Sequence, residues 1–309
     1  MGQIVFHVPR DWVTDRAAML PFYQKLMAGL DQRGIVWRAV AIDRDALPAS
    51  LDADDAFHIV NHGQVRHPRA LNAGIAYIYP FWNLDPQGIR AFSSIADMAF
   101  RPARIDGDKA RAFFHRLRTR LVSTRTSRYD QPQDAEALPQ AQAAVFLQSE
   151  THRIVGETCH MDRWTMLDTV LAATTGQVIV KPHPREMDSD VLERLVGMRA
   201  THPRLHISMG NIHDILAASD RVVTINSAVG VEAYLHRKPV ILCGQSDFHH
   251  VATVARDADA LEMALRAPPP ARQYAKYVYW YFGRMCINAG SDAMPDQVLR
   301  RIRATGYDI

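Results

Sequence analysis

Short hydrophobic runs alternate with helix-like patterns along the first half of the chain. The runs are QIVFHV, IVWRAVAI, AFHIV and AYIYP, and each has the length of one buried strand. A helical pattern over residues 15–33 separates the first two runs and ends at Gly34, a residue typical of helix C-termini. Continuous hydrophobic strands between helices predict a parallel sheet that is covered on both faces.

The alternation is more regular in the second half. The predicted strands are AAVFLQ, QVIVK, RLHIS, RVVTIN and PVILC. Helical patterns follow each of them, over residues 162–174, 188–199, 212–218, 228–236 and 255–266. This order predicts a doubly wound α/β domain. After it, QYAKYVYWYFGRMC predicts a long aromatic helix.

The pattern divides the chain into two α/β halves. We place a first domain at residues 1–135 and a second at residues 143–268. Between them DQPQDAEALPQAQ has the composition of a connection. Residues 269–309 are expected to form a helical segment that braces the N-terminal domain. Two such halves and a closing helix describe the GT-B architecture of glycosyltransferases, in which two Rossmann-type domains face a central cleft.

Composition narrows the class of protein. The 309 residues are 48% hydrophobic and 22% charged, as in globular proteins, and the net charge of +3 is too small to predict a nucleic-acid partner. Three widely separated cysteines predict a reducing compartment. The amino terminus lacks a charged leader, and no hydrophobic run reaches the roughly 20 residues that span a bilayer. We therefore expect a cytoplasmic protein.

Lys181 and His183 follow a buried strand in the sequence VIVKPHPREM. In parallel sheets, ligands bind at the carboxyl ends of strands. Pro182 and Pro184 fix φ and remove backbone donors, so the turn is stiff and presents His183 in one orientation. A lysine and a histidine there suit a phosphate or a ribose hydroxyl. The alternative is that His183 only secures a loop.

A second strand end reads NSAVG and runs directly into a predicted helix. Ser227 is expected to cap that helix or to donate its hydroxyl to a phosphate. The free N–H groups of Ala228, Val229 and Gly230, with the helix dipole, predict an anion site. Gly230 allows close approach of a ligand or of the neighbouring strand. Glu232 is placed to stabilise the helix N-terminus or to accept hydrogen bonds from ribose hydroxyls.

These two elements resemble the capsule-polysaccharide biosynthesis glycosyltransferases, especially the bacterial Kdo transferases that use a CMP-activated sugar. The resemblance covers about residues 178–244, through VIVKPHP and DRVVTINSAVGVEAYLHRKPVILCG. It implies that the CMP portion is contacted by Lys181, His183, Asn226, Ser227 and Glu232. The family usually has an aromatic residue shortly after the last glycine, where this chain has GQSDFHH.

Residues 79–97, YPFWNLDPQGIRAFSSIAD, contain the candidate catalytic carboxylate. Glycosyl transfer needs a carboxylate to deprotonate the acceptor, or to attack the anomeric carbon if configuration is retained. Asp85 precedes a glycine by three residues, as an acid does in a segment of the family, and is expected to take this role. An ordinary turn at DPQG explains Asp85 equally well. Phe81 and Trp82 are predicted to stack on a sugar face.

Further polar residues near predicted strand ends are candidates for contact with the acceptor or the sugar. His62 ends a strand of the first half in VNHGQ, although a polar turn explains it as well. Gln148 ends the strand VFLQ. Glu150 and Glu157 follow that strand and are also reserve candidates for the catalytic carboxylate. We expect no metal site, because the histidine pairs four residues apart lie on strand or proline-containing segments.

Basic residues dominate residues 101–128, where Asp106 and Asp108 are the only acids. A solvated helix face is the usual interpretation. The alternative is peripheral contact with anionic lipid at the cytoplasmic face of the inner membrane, or with a lipid-linked acceptor; each cation would contribute about 1 kcal/mol near such a surface.

Together these features predict a metal-independent glycosyltransferase without a cofactor. Its partners would be a nucleotide-sugar donor and a glycan or glycolipid acceptor of surface or capsular polysaccharide biosynthesis. The expected donor sugar is CMP-linked Kdo or a related ulosonic acid. Three alternatives stay open: a CDP-glycerol-type polyol-phosphate transferase, a UDP-sugar 2-epimerase-like enzyme, and a non-catalytic subunit of the same fold.

Overall fold

The computed structural model describes residues 3–148, 159–184 and 189–309. The chain forms two compact units, the first from Met1–Met98 with Tyr281–Ile309 and the second from Ala99–Trp280. Within the described ranges each unit contains a six-stranded sheet with helices, which confirms the predicted α/β class. No helix in these ranges combines the length and hydrophobicity needed to cross a bilayer.

The first unit is a largely parallel sheet. Its strands are β1 (Gln3–Val8), β2 (Val36–Ala41), β3 (Phe57–Asn61), β4 (Ala70–Ile75), β5 (Phe81–Asp85) and β12 (Ile287–Asn288). They lie in the order β12–β5–β4–β3–β1–β2; the pairs among β1 to β4 are parallel, whereas β5 is antiparallel to both of its neighbours. The helices are α1 (Arg10–Thr14), α2 (Pro21–Asp31), α3 (Leu47–Asp52) and α11 (Met294–Arg303).

The predicted strand AYIYP is wrong. Residues 76–80 form the turn between β4 and β5, closed by hydrogen bonds from Ile78 N to the Ala76 oxygen (2.7 Å) and from Phe81 N to the Ile78 oxygen (2.9 Å). Ala76, Tyr77 and Ile78 are nevertheless buried. Burial of a turn therefore produced a hydrophobic run that looks like a strand in sequence.

The second unit is a fully parallel, doubly wound sheet, as the pattern predicted. Its strands are β6 (Ala143–Phe146), β7 (Val178–Lys181), β8 (Leu205–Ile207), β9 (Val222–Thr224), β10 (Val240–Leu242) and β11 (Thr253–Val254). Their order is β11–β10–β9–β6–β7–β8. The chain leaves β6 toward one edge and returns at β9 toward the other, so the strand order reverses between β6 and β9. Such a switch point is where doubly wound sheets bind ligands.

Helices cover both faces of the second sheet. They are α4 (Gly107–Arg118), α5 (Arg163–Ala173), α6 (Ser189–Thr201), α7 (Ile212–Ala217), α8 (Val229–Leu235), α9 (Ala258–Arg266) and α10 (Tyr274–Val278). The predicted long aromatic helix is shorter than expected: α10 ends at Val278 and a π-helical stretch, Tyr279–Met285, follows it.

The compact units divide at other positions than the sequence suggested. We placed the end of the first domain at residue 135, whereas residues 99–135 lie in the second unit because α4 packs against α10 and α8 there. At the C-terminus only Tyr281–Ile309 lies in the first unit, where β12 pairs with β5 and α11 packs on α2.

Candidate functional site

A pocket lies within the second unit at the carboxyl ends of β6 and β7. Together with the open solvent at its mouth it contains about 460 Å³ of empty space. Its lining combines five parts of the chain: residues 127–131, the end of β6, the Lys181–Pro184 turn, Ile212 at the start of α7, and the start of α8 with the turn before it. The predicted residues Lys181, His183, Ser227, Ala228 and Glu232 all line it. Two elements that are far apart in sequence thus meet at one cavity.

Lys181 is the cation at the end of β7. Its side chain is buried, and Nζ donates hydrogen bonds to the backbone oxygens of Met209 (2.9 Å) and Gly210 (2.8 Å). Burial lowers the pKa of Lys181 to about 8, and the charge of Glu136 opposes that shift. The ammonium group therefore also holds the loop after β8, a contact that the sequence did not predict.

His183 follows Lys181 in the turn between the two prolines. Its imidazole is half-buried and packs edge-on against the ring of Tyr129, with centroids 5.3 Å apart and an interplanar angle of 81°. Both residues line the pocket. The turn therefore presents the imidazole to the cavity, as the stiff Pro-His-Pro sequence predicts.

The turn before α8 differs from the predicted anion site. The helix begins at Val229, after an Ala228 cap, and spans only seven residues. Two of the expected N–H donors already have partners: Val229 N donates to Ser227 Oγ (3.4 Å) and Gly230 N to the Ser227 oxygen (3.0 Å). Ser227 therefore organises its own turn, and the helix N-terminus is not an open set of three donors.

Glu232 is the carboxyl group beneath the pocket. It is 3% exposed. Burial raises its pKa to about 7, while a hydrogen bond with the Ser127 side chain and the charge of Arg128 oppose that shift. A carboxyl with such a pKa changes its charge near neutral pH, so its capacity to accept hydrogen bonds changes there as well.

Gln148 and Asn226 connect the strand ends at the switch point. Asn226 Oδ1 accepts a hydrogen bond from Gln148 Nε2 (2.8 Å), and Asn226 N donates to Gln148 Oε1 (3.1 Å). Asn226 Nδ2 also donates to the Gln245 oxygen (3.0 Å). Neither residue is in the pocket lining. Both hold the edge of the sheet from which the lining residues project.

Gly230 allows the approach of a side chain rather than of a ligand. A Cβ atom at Gly230 would lie 2.9 Å from Cε2 of Phe248 and 3.4 Å from Cγ1 of Val240 on β10. Phe248 is the aromatic residue of GQSDFHH, and it is fully buried. It therefore packs in the core behind α8.

The residues before the second sheet were the main omission of the sequence analysis. Ser127, Arg128, Tyr129 and Gln131 line the pocket, although they lie at the edge of a segment interpreted as a connection. Within this segment the Arg128 guanidinium lies 5.7 Å from the centroid of the Tyr129 ring. No sequence pattern showed that the segment folds back onto β7.

The segment that contains the Lys181 and Ser227 turns also matches known proteins. Residues 144–282 match the family model "Capsule polysaccharide biosynthesis protein". The matched segment is a little less than half of the chain and contains the Lys181 and Ser227 turns. Protein FixF of Sinorhizobium fredii is 36% identical over 113 residues, which make up 34% of this chain and 27% of FixF. The match thus spans about a quarter of that relative.

Two solved structures resemble most of this chain. The "beta Kdo 2,7 transferase" structure of Thermosulfurimonas dismutans KpsC has 14% identity and a TM-score of 0.55, covering 86% of this chain and 89% of the other. The "beta Kdo 2,4 transferase" structure of the same KpsC has 13% identity and a TM-score of 0.52, covering 89% and 88%. The likeness shows the fold, which is the GT-B fold of glycosyltransferases.

Asp85 lies in the first unit, at the end of β5. It is 3% exposed. Oδ1 accepts hydrogen bonds from Gln87 N (2.8 Å) and Gly88 N (3.2 Å), and Oδ2 from Ser93 Oγ (3.0 Å) and Ser94 Oγ (2.6 Å). The carboxylate therefore closes the DPQG turn and anchors the following segment. This geometry supports the turn interpretation; the role of Asp85 as a catalytic base stays a prediction.

Phe81 and Trp82 do not present their rings to a ligand in the first unit. Trp82 is 0% exposed and stacks on Phe22, with centroids 4.3 Å apart. Phe81 is also buried and packs on Phe282 at 4.9 Å. We therefore replace the predicted sugar contact with a core role, because no face of Trp82 is open.

Three further predicted residues are His62, Glu150 and Glu157. His62 follows β3, is half-buried, has a positive φ of 49°, and its backbone oxygen accepts from Arg44 Nη1 (3.2 Å). Its contact with an acceptor stays a prediction. Glu150 and Glu157 lie outside the described residues.

The basic region 101–128 makes several intramolecular contacts. Arg118 donates to the backbone oxygen of Leu235, and Arg125 pairs with Asp214. Other cations are exposed on the region, among them Lys109, Arg111, Arg116 and Arg120. Contact of this surface with anionic lipid stays a prediction.

Proposed function

We propose that this protein is a glycosyltransferase that takes a sugar from a CMP-activated donor and transfers it to a glycan or glycolipid acceptor. The proposed sugar is Kdo or a related ulosonic acid, and the acceptor belongs to surface or capsular polysaccharide biosynthesis. The observation that carries the proposal is the single pocket lined by both the Lys181–Pro184 turn and the Ser227 turn. It lies where a doubly wound sheet binds its ligand.

The charges around the pocket suit an anionic nucleotide. Lys181 and Arg128 supply positive charge, and His183 supplies a nitrogen that can donate to a phosphate oxygen. When the bond to the sugar breaks, negative charge grows on the CMP phosphate. Groups that are already held in place stabilise such charge most effectively. Lys181 meets this condition through its two carbonyl contacts, and His183 through its proline turn.

The choice of CMP rests on the resemblance of VIVKPHP and NSAVGVEA to the Kdo transferases. The two KpsC structures of similar fold are beta Kdo transferases, which supports the choice of Kdo as the sugar. Glu232 is the group proposed to recognise ribose, because a carboxyl beneath the pocket can accept or donate a hydrogen bond according to its protonation. We propose a carboxylate as the catalytic base or nucleophile without assigning it to one residue. Asp85 accepts the hydrogen bonds of its own turn, and Glu150 and Glu157 are the reserve candidates.

A thermal-shift panel of CMP, CDP, UDP and GDP tests the nucleotide. At 100 times the dissociation constant a ligand of the folded state adds about 2.7 kcal/mol of stability, which is readily measured. We expect CMP to raise the melting temperature most. Stabilisation by CDP, with consumption of CDP-glycerol, would favour a polyol-phosphate transferase. Stabilisation by UDP, with activity in the absence of an acceptor, would favour an epimerase. Binding of none would favour a non-catalytic subunit.

His183→Ala tests the role of the imidazole. We expect weaker CMP binding and slower turnover with an unchanged melting temperature, because the side chain lies at the cavity and not in the core. His115→Ala is the matched control, since His115 is exposed on α4 outside the pocket. Normal CMP binding and turnover in His183→Ala would reject the proposed phosphate contact.

A further inference from the structure

Residues 125–136, here called the strap, precede the second sheet and are fixed to it by side-chain hydrogen bonds. Asn211, the residue before α7, donates through Nδ2 to the backbone oxygens of Arg125 and Pro132, both at 3.0 Å. Arg125 Nη2 lies 2.6 Å from Asp214 Oδ2 and its Nε 3.2 Å from Oδ1. Gln131 Oε1 accepts from Ile212 N at 3.1 Å. The strap is therefore a wall of the second unit and not a loose connection.

A pair of histidines adds a further anchor at the start of the strap. His213 Nε2 lies 2.8 Å from the backbone oxygen of Thr126, and His213 Nδ1 lies 2.9 Å from Nε2 of His236. Because a carbonyl only accepts, His213 carries its proton on Nε2, and His236 donates to Nδ1. Burial lowers the pKa of both imidazoles, to about 3 for His236, so both are neutral at pH 7.

The far end of the strap is anchored to β8 and the residues that follow it. Glu136 accepts a hydrogen bond from Ser208 Oγ at 2.5 Å and lies 3.2 Å from His206 Nε2. Ser208 Oγ in turn accepts from Gly210 N at 3.0 Å, and Gly210 is a carbonyl partner of Lys181. The strap and the Lys181 turn thus share one set of supporting residues.

Tyr129 lies between these anchors and lines the pocket. Its ring meets the imidazole of His183 at 81° with 5.3 Å between centroids, the edge-to-face arrangement that aromatic pairs prefer. Backbone anchors on both sides restrict where the Tyr129 ring can lie. The prolines fix the backbone of His183 but leave its side-chain torsions to be set by neighbours.

We propose that Tyr129 is a positioning residue that holds the His183 imidazole in the orientation that meets the phosphate of the nucleotide. The inference rests on the proposed function for the identity of the ligand, but the Tyr129–His183 contact itself belongs to the protein alone. It extends the site beyond the family-matched segment, which begins at residue 144. Recognition of the donor then depends on a strap that precedes that segment.

The test compares Tyr129→Leu with the conservative variant Tyr129→Phe. We expect Tyr129→Leu to weaken CMP binding about fivefold, in proportion to the loss of one aromatic contact, and Tyr129→Phe to restore it. The melting temperature of each Tyr129 variant should fall by no more than that of the control variant Phe113→Leu. Phe113→Leu is the matched control, because it removes an aromatic contact with Tyr279 outside the pocket and should leave CMP binding unchanged.

A double-mutant cycle separates positioning from direct contact with the ligand. If Tyr129 acts through His183, adding Tyr129→Leu to His183→Ala weakens CMP binding no further. Additive losses, or a loss in Tyr129→Phe equal to that in Tyr129→Leu, would show that Tyr129 contacts the ligand itself and would overturn the proposal.

NMR of the protein without ligand tests the positioning role of Tyr129 independently of the proposed function. The ring signals of His183, assigned by NMR with His183→Ala, should shift in Tyr129→Leu and return toward wild type in Tyr129→Phe, because a neighbouring ring sets their chemical shifts. If the wild-type protein binds none of the four nucleotides, the proposed function fails. The His183 ring signals then remain as the test of the positioning role of Tyr129. Unchanged His183 signals in Tyr129→Leu would overturn the positioning role in either case.

Discussion

The side chain of Gln148 exchanges two hydrogen bonds with Asn226 across the switch point of the second sheet. The bonds are 2.8 Å and 3.1 Å long and join the ends of β6 and β9, which are 78 residues apart in sequence. Both residues were expected to touch the ligand. Neither residue lines the pocket. Their hydrogen bonds instead fix the ends of β6 and β9, from which lining residues project.

Replacing Asn226 by Ala should destabilise the protein. The change removes the acceptor for Gln148 Nε2 and the donor to the Gln245 backbone oxygen, and each polar group left without its partner costs about 1–3 kcal/mol where it is shielded from water. We expect the free energy of unfolding in urea to fall by about 2–4 kcal/mol. Gln140→Ala is the control, because Gln140 is exposed and bonds to Asp220; it should change little. Equal effects of the two variants would reject the structural role.

Replacing Gly230 by Ala should also destabilise the protein, through the Phe248 ring. The new methyl group would lie 2.9 Å from Cε2 of Phe248, and overpacking of a buried site costs about 1–3 kcal/mol. Gly197→Ala is a matched control, since Gly197 lies on α6 with nothing within 4 Å of its Cβ position, and should stabilise by about 0.5–1 kcal/mol.

A double variant identifies the colliding group. Adding Phe248→Leu to Gly230→Ala should recover part of the lost stability relative to Phe248→Leu alone, because the leucine side chain withdraws from the methyl group. The melting temperatures of the four proteins complete the cycle. Gly230→Ala with wild-type stability would mean that α8 has room to move away from β10.

The sequence predicted β6, β7, β9 and β10 well because these strands are buried on both faces, and such strands read as continuous hydrophobic runs. The partly exposed β11 was not predicted. The same reasoning failed at residues 76–80, where a buried turn has the same composition. It failed again at Trp82, since an aromatic residue beside a predicted strand end can point to the core or to a ligand. Which of the two occurs depends on Phe22, a partner 60 residues away.

The candidate site shows the same limit. Lys181 and His183 were predicted to line it because a strand end and two prolines are local features. The strap was missed because its position depends on Asn211, Asp214 and His213, whose bonds to it span 86 to 89 residues of the chain. Nothing in the composition of residues 125–136 distinguishes a segment anchored by such contacts from an ordinary connection.

Replacing Asp85 by Ala should unfold its turn rather than only slow a reaction. Without the carboxylate, Gln87 N, Gly88 N and the Ser93 and Ser94 hydroxyls lose their acceptor, which costs about 3 kcal/mol or more. Asp85→Asn should have an intermediate effect, because one acceptor oxygen remains. The control is Asp97→Ala, an exposed acid of the same region.

The two roles of Asp85 have different signatures. A turn-forming role predicts that melting temperatures fall in the order wild type, Asn, Ala, while CMP still binds to the folded second unit. A catalytic base predicts unchanged melting temperatures in both variants and a large loss of turnover. The second result would restore Asp85 as the candidate base.

Replacing Glu232 by Gln should change how stability depends on pH. Burial raises the pKa of Glu232 in the folded protein from 4.5 to about 7, so the folded state favours the protonated form. The stability that this proton provides is fully present below pH 4.5 and is lost as the pH rises through 7. Gln resembles the neutral carboxyl and has no such loss. The variant should therefore gain stability relative to wild type between pH 5 and pH 9, by up to about 3 kcal/mol.

Urea unfolding of both proteins at intervals between pH 5 and pH 9 measures this difference. Subtracting the two curves removes the contribution of every other titrating group that the substitution leaves unchanged. Glu193→Gln is the matched control, because Glu193 is exposed on α6, and its difference curve should be flat. A flat curve for Glu232→Gln would mean that the carboxyl is ionised across the whole range. In that case CMP binding should not change with pH through Glu232, and the carboxylate would only accept hydrogen bonds from ribose.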